Sequence, residues 1–559
     1  MDHSTTPAEP STPSAGDAEL EALLAQAVAL HQQQHWSAAA QAYQAILVRA
    51  PRHFKVWRLA ALLHFQQGDF DSAIRHLHSA LEIEPNHASV YLMLGNAEQG
   101  RGRSEAALAS YEHAIQLQPG YVEAHYNRAL ALQTLQRLDE ALDAYRQTLQ
   151  LAPAYVDAYC DIGVVLQTQG SVEAALASYQ RALELDPDHL RTLYNLGHAL
   201  HHSGRPAEAL PHYDRALQLK PDYLEALCNY GQSLQTLHQF EGAMACYTRA
   251  VQLQPKLAIG HWNLGLCHLL HGNFTLGWLK YEWGWAAGQR GPRRLFSQPL
   301  WLGDAPLAGK RIVLHAEQGL GDTLQFCRYA PLVAALGAQV WLEVQAPLLT
   351  LLARLPGMAG VYAQGETPPE ADYHCPLMSL PLALRTQLDT IPGQTAYLQA
   401  DPAKRAKWAA RLADCKRPRI GLAWSGNPTH THDAQRSIPL AYLAPLMDKD
   451  ICWVRLQTDL RERDQALLQE LKLLDFTAEM HDMDDTAALL VNLDRVIAVD
   501  TSIAHLAGAL GIPTTVLLPY VPDFRWLLER SDSPWYASLS VLRQTTPGDW
   551  HEVIQRIVL

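Results

Sequence analysis

The stretch AALASYQRALEL, residues 174–185, decides the architecture of the first half of the chain, because versions of it return every 34 residues. A column of small residues runs through Ala27, Ala61, Gly95, Ala129, Gly163, Gly197, Gly231 and Gly265. A second column holds Ala39, Ala73, Ala107, Ala141, Ala175, Ala209 and Ala243, and a third holds Pro51, Pro85, Pro119, Pro153, Pro187, Pro221 and Pro255. Between the columns the apolar spacing is helical. Each unit therefore reads as two helices, with small residues where they approach one another and a proline ending the second.

This period and signature resemble the tetratricopeptide repeat. Seven full units are expected from about residue 20 to residue 257. An imperfect eighth, AIGHWNLGLCHLLHGNFTLGWLKYEWGW, is expected to cap the stack, since a terminal repeat must cover the exposed apolar face. Such a solenoid has a groove lined mainly by the first helix of each unit. Two residues before the first column stand Asn127, Asp161, Asn195, Asn229 and Asn263. An asparagine amide both donates and accepts, so this ladder is read as an acceptor groove for an extended polypeptide. The alternative is that asparagine at this position only orders the helix surface.

The remaining bulk properties narrow the class. With 559 residues the chain is too long for one core. Its net charge of −13 argues against nucleic acid as a partner. The eight cysteines are scattered with no CxxC pair, which suits a reduced, cytoplasmic protein. Residues 1–19 are polar and rich in Pro and Ser, and are expected to form a disordered tail. No apolar run reaches the length of a membrane span.

Beyond Trp285 the period stops. GQRGPRRLFSQPLWLGDAPLAGK reads as a linker packed by Trp301, and the repeat region is bounded at 20–290. β-type runs then alternate with helical ones: RIVLH (311–315), QVWLEV (339–344), RIGLAW (419–424), CWVRLQ (452–457), RVIAV (495–499) and TTVLLPY (514–520). Such alternation implies parallel strands with crossover helices. Two sheets are expected, in domains spanning 291–400 and 401–559, with a cleft between them. DPAKRAKWAARLADC (401–415) reads as an amphipathic helix, and GDWHEVIQRIVL as a final helix folding back on either sheet.

Open α/β sheets bind ligands beyond the carboxyl ends of their strands, and four segments fall there. In AEQGLGDTLQF, Gly319 and Gly321 permit a tight turn and close backbone approach. Asp322 is either a helix cap or a catalytic base. In SGNPTHTHDAQRSIPL, Ser425, Gly426 and Asn427 suit a turn. Arg436 is a surface charge or an anion ligand, and Ser437 a cap for the helix that Pro439 begins. His430 and His432, two apart with no other ligand cluster, are read as solvent-facing; no metal site is expected. After CWVRLQ, which Gln457 ends, comes TDLRERD. Asp500, Thr501 and Ser502 stand where free N–H groups and the helix dipole attract phosphate, with His505 one turn on.

Together, GLGD, W-S-G-N…R-S-I-P-L and D-T-S-I-A-H-L-A-G-A-L-G-I-P resemble the heptosyltransferase-type family of GT-B glycosyltransferases. GWLKYEWGW, AEQGLGDTLQFCRY and PDFRWLLERSDSPWY are similar to motifs of bacterial proteins that join tetratricopeptide repeats to such a domain, a layout shared with protein O-GlcNAc transferases. The resemblance implies an α-solenoid followed by a GT-B fold of two Rossmann-like domains, and inversion without a metal or resident cofactor. It implies Asp322 as general base and Arg436 beside the donor phosphates. Gly319, Gly321, Ser425, Gly426, Asn427, Gln457, Asp500, Thr501, Ser502 and His505 are implied on the nucleotide-sugar donor. The acceptor implied by the repeats is a Ser or Thr of a bacterial protein such as flagellin. The alternatives are a glycan- or lipopolysaccharide-directed transferase and an inactive transferase-like scaffold.

Overall fold

The computed structural model describes residues 15–393, 396–429, 433–448 and 450–559. Most of the expected N-terminal tail, together with His430 and His432, lies outside them. The chain divides into two compact units, one through Ala226 and one from Leu227 to Leu559.

The first unit is built of helical hairpins. Its pairs are Ala15–Gln32 with Trp36–Arg49, Phe54–Gln66 with Phe70–Ile83, Ala88–Gly100 with Ser104–Leu117, Val122–Thr134 with Leu138–Leu151, Val156–Thr168 with Val172–Leu185, and Leu190–His202 with Pro206–Leu219. The first helix starts at Ala15, before the expected boundary at residue 20. Each prolyl residue of the third column sits two positions beyond the second helix of its pair. The turn inside each pair needs one left-handed residue, with φ near +60° to +80°. Gly68, Gly102, Gly170 and Gly204 supply it without strain, and Gln34 and Gln136 occupy the same register.

The small-residue column has a specific cause. Sixteen residues after it, in the second helix, comes a buried tyrosine: Tyr43, Tyr111, Tyr145, Tyr179 and Tyr213. The ring of Tyr179 lies so close to Gly163 that an added Cβ would collide with it, and at Gly197 a Cβ would stand 2.9 Å from Tyr213. Ala27 and Ala129 hold the same position facing Tyr43 and Tyr145, so one methyl is accommodated where the ring shifts.

The second unit begins inside the repeats. It takes in the rest of helix Leu224–Thr236, its partner Phe240–Leu253, and the pair Ala258–Leu270 with Phe274–Tyr281. Ten parallel strands follow: β1 (Arg311–His315), β2 (Gln339–Val344), β3 (Met358–Ala363), β4 (Tyr373–Pro376), β5 (Arg419–Ala423), β6 (Cys452–Arg455), β7 (Leu474–Asp475), β8 (Arg495–Val499), β9 (Thr514–Leu518) and β10 (Leu539–Arg543). They form two sheets, ordered β3-β2-β1-β4 and β10-β9-β8-β5-β6-β7. The six expected strands are present; β3, β4, β7 and β10 were not anticipated. Helix Pro402–Arg411 realises the amphipathic segment, and Trp301 is buried in the linker, its Nε1 donating to the Ala305 carbonyl at 2.9 Å. The final helix, Trp550–Gln555, packs on the second sheet, where Trp550, Val553 and Ile554 join Ile420, Leu422 and Trp424.

One apolar core spans the unit. Phe240, Trp262, Phe274, Trp278 and Tyr281 from the last repeats share it with Ile312 and Leu314 of β1 and with Phe524, Trp526 and Trp535 beyond β9. A buried guanidinium joins the two sheets within it. Arg328 donates to the carbonyls of Gln325, Pro392 and Trp535 and to the Tyr397 hydroxyl, and stands 4.5 Å from the Tyr397 ring and 4.6 Å from that of Tyr536. With no carboxylate beside it among the described residues, carbonyl dipoles and aromatic faces carry the charge.

Two stability predictions follow from this packing. Gly163→Leu forces a branched side chain into the Tyr179 ring and costs about 1–3 kcal/mol, whereas Gly163→Ala, helped by a helix propensity gain of about 1 kcal/mol, is close to neutral; thermal melts of the two variants measure the contrast. The second concerns β1 and β4, where His315 and His374 bond each other at 3.2 Å beneath Phe296. Burial, reinforced by positive neighbours including Arg294, pushes His315 down to about 3 and His374 down to about 4. Unfolded, each titrates near 6.5, so as pH falls below that value the unfolded chain binds protons that the folded chain refuses. Their contribution to stability is complete above pH 6.5 and is lost towards pH 3–4, at about 1.4 kcal/mol per pH unit for each histidine. Urea unfolding between pH 7 and pH 4 reads this slope, and His315→Phe flattens it.

Candidate functional site

The order of the strands locates the site. In the first sheet β1 is followed by β2 and β3 on one side and by β4 on the other; in the second, β5 is flanked by β6 and β8. At such reversals the crossover helices part and leave room beyond the strand ends. The loops after β1, β5 and β8 carry Asp322, Arg436 and the 500–505 segment.

The loop after β1 is fastened from the ends of β2 and β3. Gln345, after β2, donates to the Gln318 carbonyl at 2.7 Å and accepts from the Thr323 hydroxyl at 2.8 Å. Gln364, after β3, donates to the Ala316 carbonyl at 3.0 Å. Helix Leu320–Phe326 starts there, and Asp322 is its third residue. Neither glycine of the turn needs a left-handed conformation; Gly319 has φ −71°. Gly321 is required by packing instead, because a Cβ there would stand 2.9 Å from His505 Cδ2. The turn thus rests on helix Ser502–Ala509, and the two strand-end segments touch where a cleft was expected.

Asp322 is both a cap and a charged partner. Its Oδ2 accepts from the Gly319 N–H at 2.8 Å, and its Oδ1 is ion-paired with Arg525 Nη2. Its side chain remains 22% exposed, while that of Arg525 is 10% exposed. Arg525 also donates from Nε to Gln325 Oε1 at 2.8 Å and from Nη1 to Asp523 at 2.7 Å, with its guanidinium 4.6 Å from the Phe524 ring. The sequence reading missed Arg525. Its only signal was its place in PDFRW, 203 residues beyond Asp322 and outside every strand-end motif.

The 500–505 segment divides its labour. His505 Nδ1 lies 2.9 Å from the Tyr536 hydroxyl, its Nε2 lies 3.6 Å from Asp500 Oδ1, and its ring stacks on Trp526. Burial pushes the Asp500 carboxyl up, but the hydrogen bond and charge of His505 and the charge of Arg525 outweigh this and hold it below the ordinary range. A carboxylate so placed repels phosphate; what Asp500 offers the anion side is its carbonyl, which accepts from Arg436 Nη1 at 3.1 Å. The Thr501 hydroxyl is buried without a partner among the described residues, as is that of Ser425.

Around Arg436 a basic cluster forms. Gly426 lies beneath its guanidinium, where a Cβ would be 2.7 Å from Nε. A second arginine, Arg461, donates to the Gly426 carbonyl at 2.9 Å and pairs with Asp433, which Arg436 also approaches at 3.7 Å. Two guanidiniums share one carboxylate, leaving a local positive charge. Arg461 was also missed, its sequence context RERD resembling an ordinary solvated helix start. Ser437 does not cap the next helix; its hydroxyl bonds Asp433 at 2.8 Å and the Gly426 N–H at 2.9 Å, and Asp464 accepts from Leu440 N in its place. Gln457 is spent on the loop itself, accepting from the N–H groups of Trp424 and Ser425 and donating to the Asp459 carbonyl. Asn427, exposed, closes a turn onto Thr429.

Behind Asp322 is a buried charged cluster from the end of the repeats. Arg290 pairs with Glu317 and, at 2.8 Å, with Glu282. Burial pushes the Glu317 carboxyl up to about 7 against the pull of Arg290.

In the first unit the Asn column is partly self-satisfied. Asn127 donates to Asn96 at 2.9 Å, Asp161 accepts from the Tyr126 hydroxyl at 2.7 Å and from Arg191 at 2.8 Å, and Asn195 reaches Cys160 Sγ at 3.5 Å. Asn96 and Asn127 line a cavity of about 310 Å³; Asp161, Arg191, Tyr194, Asn195 and Tyr223 line one of about 670 Å³. Asn229 and Asn263 belong to the second unit. Asn263, 6% exposed, is packed inside the last hairpin and so is not a groove residue.

Tetratricopeptide-repeat family models match residues 53–120, 92–156, 160–223 and 200–261. Protein FlbA of Caulobacter vibrioides is 29% identical over 307 residues, which cover 50% of this chain and 51% of FlbA, so the chain spans about half the length of the curated relative it matches. Among solved structures, MamA is 26% identical over 30% of this chain and 90% of its own, with a TM-score of 0.28. YrrB, described as a TPR protein with an unusual peptide-binding site, is 24% identical over 33% and 95%, with a TM-score of 0.29. The N-terminal region is a tetratricopeptide-repeat array, followed by parallel sheets with helices, in a chain related to FlbA. No described helix is long and apolar enough to cross a membrane.

Proposed function

We propose that this chain is a glycosyltransferase that moves a sugar from a nucleotide-sugar donor to a Ser or Thr hydroxyl of a polypeptide held by the repeats. The observation that carries the reading is the contact between the Asp322 turn and the 500–505 tip, each at the carboxyl end of a strand beside a reversal of strand order. It sets two poles side by side. Around Arg525 stand Asp322, Asp523 and Asp500, an acidic pole suited to a sugar carbon that gains positive charge as its leaving group departs. Arg436 and Arg461 around Asp433 form a basic pole suited to the departing phosphate. The unpartnered hydroxyls of Ser425 and Thr501 lie at the same strand ends and add donors.

In this scheme the acceptor hydroxyl attacks the anomeric carbon from the face opposite the nucleotide, so configuration inverts. The bond from that carbon to the phosphate oxygen breaks with its electron pair on the phosphate. Asp322 accepts the hydroxyl proton. Each carboxylate oxygen has two lone-pair sites; the Gly319 N–H and Arg525 take one apiece, which leaves one on each oxygen for the acceptor. Arg436 offsets the charge on the leaving group by charge-assisted hydrogen bonds. The groove supports the polypeptide assignment because its floor combines side-chain amides with aromatic rings and a neutralised ion pair, and such a surface holds backbone without demanding a sequence. Flagellin is the first acceptor to test.

Asp322→Asn is expected to lower kcat by about 10² to 10⁴-fold with the donor Kd unchanged; undiminished transfer removes Asp322 as base. Arg436→Ala is expected to weaken nucleotide binding by about 1.5–3 kcal/mol, read by calorimetry with the ligand that most raises the melting midpoint in a panel of UDP, GDP, ADP and CMP sugars. A fragment beginning at Pro221, which keeps all of helix Leu224–Thr236, is expected to bind and slowly hydrolyse the donor while losing transfer to protein. Full transfer to protein by that fragment excludes selection by the groove.

A further inference from the structure

We propose that Arg525 is the positioning residue that aims Asp322 at the acceptor hydroxyl, an inference that rests on the transferase reading above. Its guanidinium is anchored on three sides. Nε is held by Gln325, three residues along the same helix as Asp322; Nη1 by Asp523, at the start of its own turn Phe524–Trp526; and Nη2 by Asp322. The Phe524 ring packs at 4.6 Å and that of Phe326 at 5.8 Å. Gln325 and Phe326 come from the first sheet's domain, and Asp523 and Phe524 from the second's, so Arg525 sets the Asp322 carboxylate by reference to both. The Gly319 N–H takes the other oxygen. Two bonds from two directions fix the plane of the carboxylate, which one cap bond would leave free to turn.

Charge requires the arginine as well. The Gly319 N–H and Arg525 bond Asp322; Glu317 of its own loop and Tyr281 of the last repeat helix feel its charge, with Arg290 behind Glu317, and Asp523 and Asp500 of the second domain share Arg525 with it. With Arg525 removed, the carboxylates of Asp322, Asp523 and Asp500 would lose the cation whose charge they share. During transfer Arg525 neither gains nor loses a proton. The proton leaves the acceptor oxygen for Asp322 as the new carbon–oxygen bond forms and the bond to phosphate breaks.

The test is chemical rescue in the full chain. Arg525→Ala is expected to lower kcat about 10²-fold, the scale of a misplaced catalytic group, with the donor Kd unchanged within twofold. Millimolar guanidinium chloride is expected to restore the rate saturably, and urea, of the same shape without the charge, to leave it low. Equal rescue by both shows a packing role and overturns the proposal, as does an unchanged kcat, an absence of rescue, or loss of donor binding in step with kcat. Should Arg525→Ala not fold, Arg525→Lys carries the test: it keeps the charge but not the fork, and is expected to lower kcat about tenfold at unchanged donor Kd. An unchanged kcat in that variant overturns the proposal. Wild-type turnover of a nucleotide sugar is the control. Its absence overturns the transferase reading and this inference with it, whereas turnover with an indifferent Arg525 series overturns the inference alone.

Discussion

The ion pair between Asp322 and Arg525 is the constraint around which the second unit is arranged. Both side chains are largely withdrawn from water, and a half-buried charge is tolerated only with its partner in place; breaking such a pair strands the other member at a cost of about 3–5 kcal/mol. One partner comes from the helix after β1 and the other from the turn after β9, so the pair holds only if both sheets form and meet in one relation. The neighbouring features serve the same end. Gly321 lets the turn settle on His505, Arg328 binds carbonyls on both sides, and Trp278 and Tyr281 bring the last repeat against Phe326 and Phe524.

That arrangement alters where the chain is divided. The last repeats do not merely precede the α/β region. They contribute Phe274, Trp278 and Tyr281 to its core, and the turn that follows sends Arg290 under Glu317, five residues before Asp322. His238, in the turn before Phe240, stacks on Tyr520 beyond β9 at 3.8 Å and reaches its carbonyl at 2.8 Å. A repeat that in an ordinary array would cap the stack with polar groups here carries aromatic ones, because another core covers it.

Much of this was legible in the sequence, for identifiable reasons. The 34-residue columns survive because most repeats solve the same packing problem, a tyrosine ring lying over a residue with little or no side chain. β1, β2, β5, β6, β8 and β9 are runs of apolar residues buried on both faces and read directly. The strands that escaped notice lack that signal: β3 (MAGVYA) is half-exposed, β4 is four residues ended by a proline, β7 is two residues, and β10 alternates with solvent. Asp322 and the 500–505 segment were picked out because the strand end that carries each is local in sequence. Arg525 and Arg461 were not, since what marks them is a partner tens to hundreds of residues away. Gln457 and Asn427 had suitable positions, yet their amides are consumed in shaping their own loops, a competition that sequence does not display.

The central claim is that the Asp322 turn and the Arg436 cluster act on one substrate from opposite ends. The most direct test is a crystal structure of the whole chain with a non-hydrolysable nucleotide-sugar analogue. The account predicts the phosphate nearest the sugar within hydrogen-bond distance of Arg436, and the anomeric carbon turned towards the carboxylate of Asp322 with room for a hydroxyl between them. An analogue seated with its sugar remote from Asp322, or with its phosphates on a different surface, would contradict it.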